Sequence, residues 1–469
     1  MELARRCEKD GDVLNWGKAV MPEKFKLNFC DELHGYLVET RHESFTSTEA
    51  PRGHAKTTVG CMLIPLYQGL IEPKRYLHYL NVQANDEKAL AINRAIKMEI
   101  EQNDIIHALY GNQVGKDRWT DASFVLKNGV IYSAAGSGAS IRGINYRNIR
   151  PDNIICDDLY DTDADANSPV NTEKKNQWFW STLFPALAQD RPARVCFQGT
   201  AVNRYDLFEK LKKDPTVVSR TFRAITDWAA KTVLWVGLKT FEEFERMRLR
   251  MGSLIFSREF QNERRDDASA IIKMGWLYPE DGSPDWEYDP ASLRFDADFL
   301  FQAAVVTLDP SIGSKSKNDK SGYALVLKGQ RSDGSLPLFY IEALVNEHHS
   351  FQERIDTVKG LLRDRPQERQ VTKVRVETIA GFKDIGDRIA ANVSVPCELV
   401  DHVVNKLTNL ERNSAVFENR RIFLNRNIDP ALKQELTYQL TTNAAKHDDL
   451  RDAVLLGIDA QEGDWSSWV

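Results

Sequence analysis

At 469 residues the chain is too long for one core, and a prior of roughly 150 residues per domain implies two or three domains. Its ordinary composition excludes fibrous and disordered classes, and the net charge of −6 requires any nucleic-acid partner to be met by local basic patches, not a global positive field. The six cysteines form no C-x-x-C pair and read as reduced core residues. No apolar run approaches the roughly 18 residues of a membrane span, so with the charged start MELARRCEKD the expected location is cytoplasmic.

In chain order, residues 44–48 (SFTST) predict a strand and 57–67 a first helix, bent or ended near Pro65. Between them, APRGHAKTT (50–58) has the outline of a phosphate-binding loop, G-x-x-x-x-G-K-[ST], with Ala50 and Ala55 at both glycine positions and Gly53 between them. Such a loop wraps phosphates in backbone N–H groups, its lysine reaches the outer phosphates, and its hydroxyl holds Mg²⁺. That pattern makes Arg52, Gly53, His54, Ala55, Lys56, Thr57 and Thr58 the candidate contacts to ATP, with Thr57 a candidate Mg²⁺ ligand. Taken alone, the segment also reads as a solvated lysine at a helix start.

Further strands are expected at YLHYLNV (76–82) and GVIYSAAG (129–136), with a helix over 86–101. NIICDD (153–158) reads as a buried strand delivering two acids at its C-terminal edge, the Walker B arrangement. Asp157 would hold Mg²⁺ and Asp158, one methylene shorter than the usual Glu, would orient or deprotonate the attacking water. VCFQGT (195–200) places Thr200 where a γ-phosphate sensor would lie. Residues 1–225 thus predict an α/β domain of P-loop type with a mostly parallel sheet. Residues 226–298, with FEEFERMRLRMG, FSREFQNERRDD and YPEDGSPDWEYDP, predict a helical lid or linker, and 299–469 a second α/β domain.

In that second domain Asp309 ends the strand AAVVTLD, Glu377 ends VRVE, and Asp448-Asp449 opens an apolar C-terminal helix in KHDDLRDAV. Acids at strand ends and a helix start converge only through the fold, as in ribonuclease H-like nucleases. Carboxylates forced together are stabilised by divalent cations, and two Mg²⁺ or Mn²⁺ ions can hydrolyse a phosphodiester. Each acid also has an ordinary reading, Asp449 as a helix cap and Asp309-Pro310 as a turn.

The deviant loop, GSGASIRG (136–143), NIICDD, QGT, FSREFQNE and the D…E…HDD set together resemble the large terminase subunits of tailed bacteriophages, ATP-driven motors that package and cut viral DNA. The resemblance covers nearly the whole chain. It implies a P-loop ATPase followed by a ribonuclease H-like endonuclease, with double-stranded DNA, a small terminase subunit, and a portal and procapsid as partners and a ring on the portal as the working form. By the same resemblance Arg52, four residues before Lys56, is a candidate γ-phosphate trigger and Arg142 a candidate arginine finger within or across subunits, the alternative for either being a surface salt bridge. Asp319 reads first as a turn residue before the next strand and, by the resemblance, as lining the nuclease entrance, while Lys406 and Arg412 read either as contacts to DNA phosphates or as a solvated helix face. Two departures stand out: the loop lacks its glycine before the lysine, and MPEKFKLNFCDELHGY (21–36) has no glutamine where the family's adenine contact is sought. The rival readings are a motor whose acidic cluster no longer cleaves and a helicase or repair ATPase fused to a nuclease.

Overall fold

The computed structural model describes residues 1–141, 144–160, 165, 168–264, 270–281, 283–310, 320–363, 370–378, 383–401, 406–443 and 448–459. Chain packing divides it into two units, Met1–Arg246 with Phe256–Asp266, and Met247–Ile255 with Asp267–Val469. The stretch 226–298, expected as a lid or linker, is thereby shared between the two.

In the first unit eight strands form one sheet: β1 (Phe45–Glu49), β2 (His78–Gln83), β3 (Val114–Trp119), β4 (Ser123–Leu126), β5 (Ile131–Gly136), β6 (Asn153–Asp157), β7 (Arg194–Gly199) and β8 (Val218–Thr221). Their spatial order is β3-β4-β5-β2-β6-β7-β1-β8. The six strands from β5 to β8 in that order run parallel, and β3 and β4 add an antiparallel edge. Alternation within the short apolar runs fixes two buried faces. Ile155 and Cys196 join one core cluster, whereas Ile154, Cys156, Val195 and Phe197 join the cluster on the opposite face. All parallel strands therefore deliver their C-terminal residues, among them Glu49, Gln83, Asp157 and Gly199, to a common edge.

The helix after β1, α1, starts in wide π turns over Thr58–Leu63 and continues as Ile64–Ile71. It does not end near Pro65. The winding changes from π to α beside Pro65, which stands in the first turn of the α segment, and the apolar, buried helix runs on. A small hairpin, β9 (Ile225–Asp227) and β10 (Thr232–Val233), completes this unit's strands.

The second unit holds β11 (Glu287–Tyr288), β12 (Phe299–Asp309), β13 (Ser321–Arg331), β14 (Leu338–Glu347), β15 (Lys373–Thr378), β16 (Cys397–Asp401) and β17 (Ile422–Asn425), in the order β11-β17-β14-β13-β12-β15-β16. β12, β13 and β14 form an antiparallel meander, with β15 and β16 parallel beside β12 and β17 parallel beside β14. Helices α2 (Lys406–Glu418) and α3 (Asp449–Asp459) pack on one face. Leu450, Ala453, Val454 and Ile458 of α3 share a core with Ala324 and Val326 of β13. Thr307 Oγ donates to the Ala453 carbonyl at 2.7 Å and an Arg375 N–H to that of Leu456 at 3.1 Å, which aligns α3 along β12.

The start of α3 crosses β13 at Gly322, where a Cβ would come within 2.2 Å of the Asp449 carbonyl oxygen, and Gly322 is the register partner of Asp309. Backbone cannot yield as a flexible side chain does, so Gly322→Ala is expected to cost about 1–3 kcal/mol and to displace Asp449 from Asp309. Urea denaturation checks the first effect; wild-type stability in this variant would contradict the close approach. All six cysteines are free, five of them buried. Among the described residues no helix is long and apolar enough to cross a membrane.

Candidate functional site

The loop between β1 and α1 turns through two left-handed residues, Gly53 at φ 74° and Ala55 at φ 57°. The second stands where the loop pattern has glycine, and a left-handed conformation costs an L-residue roughly 1–2 kcal/mol. Ala55→Gly removes that strain but frees the unfolded chain, an offset of about 0.4–1 kcal/mol. The net expectation is stabilisation by up to about 1 kcal/mol in a denaturant titration, and a clear destabilisation would show that the Ala55 methyl is held by packing instead.

Lys56 follows immediately and is 5% exposed. Its Nζ donates to Thr200 Oγ at 3.0 Å and lies 3.3 Å from Asp158 Oδ2. Burial alone would lower its pKa, but Asp158 and Asp157 outweigh burial and raise it, so the ammonium stays charged. Thr57 Oγ donates to Asp157 Oδ2 at 2.7 Å. The same carboxylate accepts from Gln83 Nε2 at 3.1 Å and from Gln198 Nε2 at 2.9 Å. Burial, then the neighbouring Asp158, pushes the Asp157 carboxyl above its usual range, against the pull of Lys56 and these donors. Asp158 lies one residue beyond β6 at φ 43°, with 39% of its side chain exposed, and its Oδ1 accepts from the Thr200 backbone N–H at 3.0 Å. A lysine, a hydroxyl, one buried carboxylate and one accessible carboxylate thus converge at the edge where the parallel strands end. This donor set suits a Mg²⁺-bearing polyphosphate: Thr57 and Asp157 could hold the cation, Lys56 and the loop N–H groups the phosphates.

Arg52 is half exposed; its backbone N–H donates to the Glu259 carbonyl at 2.9 Å and its guanidinium to the Glu259 carboxylate at 3.3 Å. Nearby, Arg264 bridges Glu49 at the end of β1 to Asp206 at 2.8 Å. Arg142, expected as a finger, lies outside the described residues, as do Asp319 and His447.

The second unit gathers acids at the end of β12. Asp309 and Glu377 each follow a paired β12–β15 residue, Leu308 and Val376, and are 6% and 2% exposed. Burial raises the Asp309 pKa well above the carboxylate range, and Glu377, Asp452 and, more weakly, Asp449 add to it while Lys406 opposes. The Lys406 ammonium lies 2.6 Å from Asp452 and 2.8 Å from Asp448, and Arg451 NH2 takes the other Asp448 oxygen at 2.7 Å. Asp448 thus faces two cations, and the acids whose charge bears on Asp309 are Glu377, Asp452 and Asp449. Among the described residues no three His, Cys, Asp or Glu side chains are arranged to hold a metal ion. The carboxylates stand near enough to repel one another, and Lys406 supplies the local positive charge. A crowded, buried carboxylate set of this kind suits a hard divalent cation by charge.

Lys406, read from sequence as a contact to DNA, is engaged by these acids, and Arg412 is half-buried in α2. His349 accepts or donates at Nδ1 with the Tyr323 hydroxyl at 3.0 Å. Sequence reasoning missed Asp452, although its spacing of three from Asp449 on a helix puts both on one face. It also missed Gln83, the polar end of an otherwise buried strand, and Glu259.

No protein-family model matches the chain, and no curated protein matches it. Among solved structures it is similar to the large terminase from a thermophilic bacteriophage, with TM-score 0.48 and 10% identity over 86% of this chain and 86% of that chain. It is similar to the HK97 bacteriophage large terminase, with TM-score 0.38 and 14% identity over 92% and 95% of the two chains. The human cytomegalovirus terminase nuclease domain matches 41% of this chain and 96% of its own, at TM-score 0.31 and 15% identity.

Proposed function

We propose that the chain is a DNA-packaging motor subunit of the large-terminase kind, whose P-loop ATPase unit drives double-stranded DNA and whose ribonuclease H-like unit cuts it. The observation that carries the reading is the convergence of Lys56, Thr57, Asp157, Asp158 and Thr200 at one end of a parallel sheet. Lys56 and the N–H groups of Gly53, Ala55, Thr57 and Thr58 bind the ATP phosphates, the Arg52 and His54 N–H groups being taken by the Glu259 and Pro51 carbonyls. Thr57 and Asp157 would hold Mg²⁺, which would supply positive charge to the outer phosphates. Asp158, left accessible and anchored by the Thr200 N–H, orients and accepts a proton from the attacking water. Thr200 joins that residue to Lys56 and reports the γ-phosphate. Arg52, on the accessible side of the loop, and Arg142, assigned from sequence alone, balance charge on the transferring group.

In the second unit Asp309, Glu377 and Asp449 are the metal ligands of this reading. These residues would hold Mg²⁺ or Mn²⁺, whose chemistry there would be to activate a water for phosphodiester hydrolysis. Asp452 holds Lys406 beside the acids, and Asp448 is drawn toward Lys406 and Arg451. The meander β12–β13–β14 with parallel β15 and β16 supports the ribonuclease H-like assignment. The motif order in the sequence supports packaging over other DNA translocation, and with it a small subunit, portal and procapsid as partners in a cytoplasmic assembly.

The position of Lys406 favours one rival, a motor that does not cleave. Metal-dependent nicking of plasmid by the full chain removes that rival. Packaging itself is tested with procapsids, DNA and ATP: ATP-dependent protection of DNA from added nuclease is the expected result. Strand unwinding with no protection would overturn the reading in favour of a helicase.

A further inference from the structure

One buried side chain braces the phosphate loop and has no part in the chemistry above. His34 lies in the helical turn Asp31–Gly35, fully buried. Its Nδ1 accepts the Cys30 backbone N–H at 3.0 Å, so the ring proton sits on Nε2, which donates to the His54 carbonyl at 2.9 Å. Burial pushes the His34 pKa down, which keeps the ring neutral and this tautomer in place. The His54 carbonyl belongs to the planar peptide that also carries the Ala55 N–H, so holding the oxygen fixes the direction of that N–H. Ala55 is the residue at φ 57°, where the loop pattern has glycine. The preceding turn is held in the same way, since His54 Nδ1 lies 3.0 Å from the Arg52 carbonyl, and the His54 ring stacks on Phe244 at 6.0 Å.

We propose that His34 is a positioning residue for the phosphate loop: its Nε2–H, through the His54 carbonyl, aims the Ala55 N–H at the polyphosphate and supports the left-handed turn that a glycine would otherwise permit. The proposal rests on the ATPase reading and adds the device that lets a loop without its usual glycines hold its shape. A neutral brace of this kind acts on binding more than on the chemical step, because the aimed N–H meets the phosphates in ground and transition state alike.

The test compares His34→Gln, whose amide N–H can reach the same carbonyl, with His34→Met, of similar length and without a donor, in the full chain. His34→Met is expected to raise KM for ATP about tenfold, or about 1.4 kcal/mol, at nearly unchanged kcat, and His34→Gln to recover most of that loss. Hydrogen exchange of the nucleotide-free protein should show residues 50–58 exchanging faster in His34→Met and near wild type in His34→Gln. Adding Ala55→Gly to His34→Met should restore part of the affinity, because glycine adopts the turn without the brace. His34→Phe makes the same comparison if the methionine variant does not fold. Unchanged KM and unchanged exchange in a folded donorless variant would overturn the proposal, and so would an equal loss in His34→Gln. A wild-type protein that turns over no ATP would overturn the ATPase reading instead, and the exchange comparison would still decide the brace.

Discussion

Lys56→Met is expected to lower ATP turnover by about 10²- to 10³-fold, the loss seen when one preorganised electrostatic group is removed from a reacting centre. The buried ammonium is tied to Thr200 and Asp158, so it stands already oriented toward the place where the outer phosphates would lie. The same change also tests the charge balance. Without Lys56, Asp157 and Asp158 repel each other with no internal cation between them, and stability should fall. Breaking a fully buried pair costs about 3–5 kcal/mol, and the exposure of Asp158 to solvent reduces that figure here. The double change Lys56→Met with Asp158→Asn should therefore recover melting temperature without recovering turnover. Turnover restored along with stability would mean that Lys56 is a structural cation only.

Asp309→Asn is expected to abolish DNA cleavage, by about 10²-fold or more, and yet to stabilise the metal-free protein at neutral and alkaline pH. The sign follows from linkage. The folded-state pKa of Asp309 lies well above its ordinary value of 3.8, chiefly through burial and then through Glu377 and Asp452. A raised acid contributes stability that is fully present below its unfolded pKa and is lost as pH rises through the folded pKa. Above that window wild type carries an ionised Asp309 against three acids, and the asparagine variant does not. In chelator the variant should melt higher than wild type at pH 8 and show no advantage at pH 4. Mg²⁺ or Mn²⁺ should raise the wild-type melting temperature and leave the variant nearly unmoved. Equal metal stabilisation of both proteins would remove Asp309 from the metal set.

The sequence made the strands and their end residues legible because burial on both faces writes continuous apolar runs, as in NIICD and AAVVTLD, and parallel strands must deliver their ends to one edge. The amphipathic spacing of 86–101 likewise matches the helix Asp86–Gln102. Two kinds of feature were not legible. The partners of a site residue come from distant parts of the chain: Gln83 and Gln198 meet at Asp157, Glu259 meets Arg52, and His34 meets His54, with nothing local to mark the pairs. The short edge strands β3 and β8 carry mixed polar residues, VGKDRW and VSRT, so their period is weak, and pairing with neighbours decides them. Ala55 shows a third limit. The loop pattern asks for glycine in that turn, and the backbone adopts the turn without it because His34 and the Arg52–His54 contact hold the loop.

The claim that one chain carries two separate engines is tested most directly by a reciprocal assay on full-length protein, with ATP turnover and metal-dependent plasmid cleavage measured side by side for wild type, Lys56→Met and Asp309→Asn. Lys56 and Asp309 belong to different packed units with different cores, so their substitutions should act nearly independently. The account predicts that Lys56→Met loses ATP turnover and keeps cleavage in the absence of ATP, whereas Asp309→Asn loses cleavage and keeps ATP turnover. Loss of both activities in either folded variant, or cleavage surviving Asp309→Asn, would contradict it.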